Sequence, residues 1–106
     1  EGYFKLFMFD FAVREFEQAV RQDPDSVIAR LYLALGLLQQ GENAEAYRHF
    51  QLIVPLADNN TVKAISYQAM GCIQIMNRHY DSAQDYFQLA RKMDPAVPHP
   101  LSILEL

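Results

Sequence analysis

The chain has 106 residues and a mass of 12.2 kDa, a size that fits one domain or one module of an array and excludes a two-lobed enzyme. Hydrophobic residues make up 51%, enough for a real core, while thirteen acids against nine bases give a net charge of -4. That balance argues against a nucleic-acid surface, which needs clustered Lys and Arg, and the lone Cys72 excludes an internal disulfide or a four-cysteine zinc site.

Five helices are predicted, over residues 1–22, 27–40, 43–56, 62–77 and 80–93. In the first, Phe9, Ala12, Val13, Phe16, Ala19 and Val20 step by three and four, which places them on one helical face. Its start is dense in aromatics: Tyr3, Phe4, Phe7, Phe9, Phe11 and Phe16. They are not interleaved with bases, so core packing explains them better than base stacking. Glu1 stands in place of a starting Met and is read as a cut within a longer protein. No basic opening of a signal peptide precedes the apolar stretch, but a signal in the part cut away would leave no trace here, so the compartment is unknown, with the cytoplasm as the default expectation.

Asp23-Pro24-Asp25-Ser26 ends this helix, and Ser26 is a candidate cap for the next. The second helix holds the longest apolar run, Leu31 to Leu38, far short of the ~18 residues of a membrane helix, so no direct membrane insertion is expected. Gly41 suits the left-handed closure of a helix. In the third, Ala46, Phe50, Ile53 and Val54 share a face, and Pro55 is expected to end or kink the helix near Val54. Asn60 or Thr61 is the candidate cap for the fourth, beginning near Val62. Asn77-Arg78-His79 breaks the chain before the fifth, where Ala83, Phe87 and Ala90 repeat the pattern. Gly36 and Gly71 interrupt apolar helical text, where Gly costs about 1 kcal/mol relative to Ala. Close approach of a neighbouring helix would explain both.

Internal repetition is the strongest signal. Ala12 to Ala46 and Phe16 to Phe50 are both 34 residues apart, and Ala46 to Ala83 and Phe50 to Phe87 are both 37. Asp23-Pro24 returns as Asp94-Pro95. Helix pairs recurring at this period imply a solenoid, with the three extra residues placed in a linker at 61–63. The pattern resembles the tetratricopeptide repeat family. Residues 64–97 carry the fullest copy, through Tyr67, Met70-Gly71, Tyr80, Ala83, Phe87, Ala90 and Pro95, with Arg78 where the family has a small glycine. Residues 27–60 form the middle copy through Leu33-Ala34, Gly41, Ala46 and Phe50, with Asp58 in place of the closing proline. Residues 1–26 match the second half of a copy through Phe9, Ala12, Phe16, Ala19 and Pro24, and 98–106 is a tail or the start of a following helix. The resemblance implies an all-α, right-handed alpha-alpha superhelix whose first helices line a concave face.

It also implies where a partner would bind. The inward positions are Ile28, Leu31, Leu35, Leu38 and Gln39 in the middle copy, and Ile65, Gln68, Cys72, Ile75 and Met76 in the last. None is Lys, Arg or Asn, so the basic clamp that some members close on a peptide carboxylate is missing. The expectation is a non-enzymatic scaffold holding an apolar helix or extended segment of a protein or peptide, with Arg30 and Glu42 at the rim. Alternatively the chain is a docking or regulatory module of a larger enzyme or transcription regulator, its groove covered from within or by a homodimer.

No catalytic constellation or cofactor is expected. His49, His79 and His99 lack metal-ligand spacing, and Cys72 sits in apolar text with no histidine near it in sequence. Asp81 and Asp85 are an i,i+4 acidic pair that solvent exposure explains. No phosphate-binding glycine loop or nucleophile-elbow arrangement occurs.

Overall fold

The computed structural model describes residues 2–97, and side chains from Phe11 onward. The expectations for Tyr3, Phe4, Phe7 and Phe9, for His99 and for the segment 98–106 lie outside the described side chains or residues. The described residues form five α-helices and no strand: α1 (Gly2–Gln22), α2 (Val27–Gln39), α3 (Asn43–Leu56), α4 (Asn60–Met76) and α5 (Tyr80–Met93). The principal packing runs in sequence, α1 on α2, α2 on α3, α3 on α4 and α4 on α5. Such neighbour-to-neighbour contact is the packing of a solenoid-like helical repeat.

Local chemistry sets the helix ends. Ser26 caps α2 as expected, its hydroxyl accepting from the Ala29 amide at 3.2 Å. The cap of α4 is Asn59, one residue earlier than the candidates, and its Oδ1 accepts from Thr61 N at 2.7 Å and Val62 N at 3.3 Å. Residues 61–63 are therefore helical, not a linker, and the extra residues of this copy lengthen α4 at its start. Pro55 falls in the last turn of α3, whose end is the expected one. Helix α3 continues through it to Leu56, because a proline in the last turn removes one terminal hydrogen bond and leaves the rest intact.

The turns between paired helices are built alike. After α2, Gly41 takes φ 84°, its N–H bonds to Leu38 O at 3.1 Å, and Glu42 N–H bonds to Leu37 O at 2.9 Å. After α4, Arg78 takes φ 63°, its N–H bonds to Ile75 O at 2.9 Å, and His79 N–H bonds to Gln74 O at 2.8 Å. Both are Schellman closures that satisfy carbonyls left open at a helix end. The Asp-Pro turns also repeat. Ser26 N–H reaches Asp23 O at 3.1 Å, and Val97 N–H reaches Asp94 O at 3.0 Å.

The core runs through the helix contacts. Val13, Leu31, Leu33, Ala34, Leu35, Leu37, Leu38, Ala46, Phe50, Ile53, Ile65, Met70 and Ile73 belong to one buried cluster. Ala46 and Ala83 are enclosed, while Ala12 is only half-buried. Phe87 packs within its own helix pair, against Gly71. Phe16 stacks on Tyr32 between α1 and α2, with ring centroids 5.4 Å apart. Tyr47 of α3 joins Tyr86 of α5 through a 2.6 Å hydroxyl contact, and Tyr86 stacks on Tyr67 of α4 at 6.3 Å.

Candidate functional site

The ten residues expected on the concave face divide sharply by exposure. On α2, Ile28 and Gln39 are exposed at opposite ends of the helix. Leu31, Leu35 and Leu38 between them are buried, Leu35 completely. On α4, Ile65 is buried, Gln68 and Cys72 are half-buried, and Ile75 and Met76 are exposed. Leu31, Leu35, Leu38 and Ile65 are thus core side chains, and as placed no ligand touches them. The reason lies in α2 itself. Every residue from Leu33 to Leu38 is buried, and a helix that is apolar all round is enclosed instead of presenting one wet stripe.

Apart from Ile28 at the start of α2, the fully exposed remainder lies in the last turns of α2 and α4. Asn43, four residues after Gln39 and at the start of α3, donates its Nδ2 to Met76 Sδ at 3.5 Å. That contact brings the α2–α3 turn beside the end of α4. Asn43 Oδ1 is buried there without a hydrogen-bond partner. Asn43 had no signal in the sequence beyond its place at a helix start, since its partner lies 33 residues away. Tyr80, which opens α5 four residues after Met76, is also exposed. A separate apolar stripe, Leu52 and Leu56, lies exposed on α3.

The electrostatics of the site are mild. Burial pushes the Cys72 thiol above its ordinary value, so it stays protonated and poorly nucleophilic near neutral pH. Arg30, expected at a rim, is engaged by its neighbours: Nη2 donates to Pro24 O at 3.1 Å and Nη1 lies 3.0 Å from His49 Nδ1. Among the described residues no three His, Cys, Asp or Glu side chains group closely enough to hold a metal ion. No described helix is long and apolar enough to cross a membrane. Surface depressions lie along α1, lined by Arg14, Glu17 and Arg21, and along α5, lined by Asp85, Leu89 and Lys92.

Sequential helix pairs with matched turns are the signature of a repeat family, and the comparison of sequences agrees. The sequence model described as tetratricopeptide repeat matches residues 9–61, half of the chain. The chain belongs to the tetratricopeptide repeat family. The match takes in α1 from Phe9, α2, α3 and the first residues of α4, and so falls on the first two copies and not on 64–97. No curated protein matches the chain. Tetratricopeptide repeats are typically non-catalytic scaffolds, and this chain is in keeping with a non-catalytic, all-helical repeat protein.

Proposed function

We propose that the protein is a binding scaffold in which α4 and α5 form a further tetratricopeptide repeat and the stack turns as a right-handed superhelix. The support for that repeat is geometric. The turn closing α4 has a left-handed residue at the same position and the same pair of hydrogen bonds as the turn closing α2, and Gly71 packs against Phe87 across the α4–α5 pair. The partner is an apolar helix or extended segment, and it docks at the exposed end of the inward set.

One observation carries this reading. Ile75 and Met76 are adjacent and 45% and 54% exposed, and Met76 meets the Asn43 amide at 3.5 Å. Apolar groups supply affinity through water release, and amides set the register of a ligand backbone. Gln68 and Cys72, both half-buried, extend the surface along α4, and Ile28, at the other end of α2, is not part of it. The buried state of Leu31, Leu35 and Leu38 favours the alternative of intramolecular cover for the α2 half alone.

The test is an Ile75→Asp, Met76→Asp double substitution. Both side chains are exposed, so the melting temperature should stay within a few degrees of the parent. Proteins captured by the parent and lost by the variant, and cross-linked through a photoreactive residue at position 76, are the expected outcome. Unchanged capture with no cross-link at position 76 rejects this surface. Loss of a dimer in sedimentation assigns it to self-association instead.

A further inference from the structure

Arg30, His49 and Pro24 lie on three successive segments: α2, α3 and the turn that joins α1 to α2. One guanidinium holds the other two groups, through Nη2 to Pro24 O at 3.1 Å and Nη1 to His49 Nδ1 at 3.0 Å. A guanidinium has donors only. His49 Nδ1 must therefore accept, which fixes the imidazole as neutral with its proton on Nε2. We propose that this contact is a pH-sensitive clasp, closed near neutral pH and opened in acid, that sets how firmly the α1–α2 joint is held to α3.

The physics is a change of sign at one atom. Protonation turns Nδ1 from acceptor to donor and sets two cations 3.0 Å apart. The hydrogen bond is lost, the charges repel, and Arg30 swings toward water, loosening its hold on the Pro24 carbonyl. The charged groups acting on His49 are Arg30 from α2, Glu45 and Arg48 from α3, and Glu17 from α1. Burial is the largest influence and lowers the His49 pKa, Arg30 and then Arg48 lower it further, and the two glutamates oppose them without reversing the direction. The folded value therefore lies below the ordinary 6.5. The clasp's contribution is complete above 6.5 and is lost as pH falls through the lower folded value.

The turn has its own Ser26 N–H to Asp23 O bond of 3.1 Å and the Ser26 cap on α2, which keep it folded once Arg30 lets go but then break more often. Opening is thus local: the joint is freed, not unfolded. Nuclear magnetic resonance on the 106-residue chain tests this directly. His49 is titrated through its ring signals while exchange of the Arg30 guanidinium protons and of the amides of Ser26 to Arg30 is followed, corrected for intrinsic rates. The expected result is a His49 midpoint below 6.5, with the Arg30 and turn protons losing protection several-fold over the same range. The Asn77 amide, bonded to Ile73 O at 3.0 Å in the distant turn, should not respond. A His49→Gln variant keeps an acceptor but does not titrate, and its joint should hold its protection through the range. A His49 midpoint at or above 6.5, or Arg30 protons indifferent to His49 protonation, overturns the clasp. Equal loss of protection at Asn77 also overturns it, because the event would then be global.

Discussion

Gly36 lies where α2 packs directly against α1. A Cβ built there would stand 2.6 Å from Cγ2 of Val13, and Val13 is itself 4% exposed. A β-branched side chain in a helix has essentially one comfortable rotamer, so Val13 has no easy way to swing aside. Gly36→Ala gains about 1 kcal/mol of helix propensity, while overpacking costs about 1–3 kcal/mol. The expected net is a loss of about 1 kcal/mol in urea unfolding. Val13→Ala in the same chain should relieve the clash, giving a favourable coupling in the double-mutant cycle. A Gly36→Ala variant more stable than the parent would mean that the helices have room to spare. Tyr47 offers a second residue-scale test. Burial, followed by its hydrogen bond to Tyr86, raises its pKa to about 12 from 10.0. The unfolded phenol ionises first, so the folded state holds the extra proton between those values and stability falls as pH rises from 10.0 through about 12. Tyr47→Phe should flatten part of that alkaline decline, read from denaturation midpoints at about pH 9 and about pH 11 in parallel.

At the scale of elements, the two Schellman turns differ in one respect. Gly41 reaches positive φ freely, whereas Arg78 reaches φ 63° with a side chain attached. An L-residue in that region is strained by roughly 1–2 kcal/mol, and Gly gives back about 0.5–1 kcal/mol through unfolded-state entropy. Arg78 is exposed, so removing its side chain sacrifices little packing. Arg78→Gly is expected to stabilise the protein by up to about 1 kcal/mol, seen as a higher urea midpoint at unchanged slope. The number and order of helices were legible because Pro24, Gly41, the 58–61 polar run and Asn77 punctuate apolar text of helical period. The cap of α4 was not, since Asp58, Asn59, Asn60 and Thr61 are all residue types that cap well and only backbone geometry selects Asn59. The face of α2 was half legible. Family register put Leu31, Leu35 and Leu38 on an open concave face, but the apolar run from 31 to 38 already had the composition of an enclosed helix. What encloses a helix depends on its neighbours, and no local period reports that.

For the whole molecule, packing that runs in order from α1 to α5 has a thermodynamic consequence. In a closed bundle every helix leans on every other, and one core defect weakens all of them. In a linear stack a defect is felt by its own pair and reaches the rest only through the interface between neighbours. Ala83 is suited to tell these apart, since it is 1% exposed on α5, the last described helix. Ala83→Leu adds bulk where none fits and should cost about 1–3 kcal/mol. Native-state hydrogen exchange then gives the local free energy helix by helix. The expected pattern is graded: protection falls most in α4 and α5, less in α3, and least in α1. The mirror experiment, Val13→Ala, should show the opposite gradient, because Val13 sits between α1 and α2 and meets Gly36. A uniform fall in both variants would mean that the α3–α4 interface couples the two ends into one cooperative block. Such a block would have to bend as a unit to admit a partner. A graded response leaves α4 and α5, which carry Ile75, Met76 and Tyr80, free to adjust while the first pair stays folded.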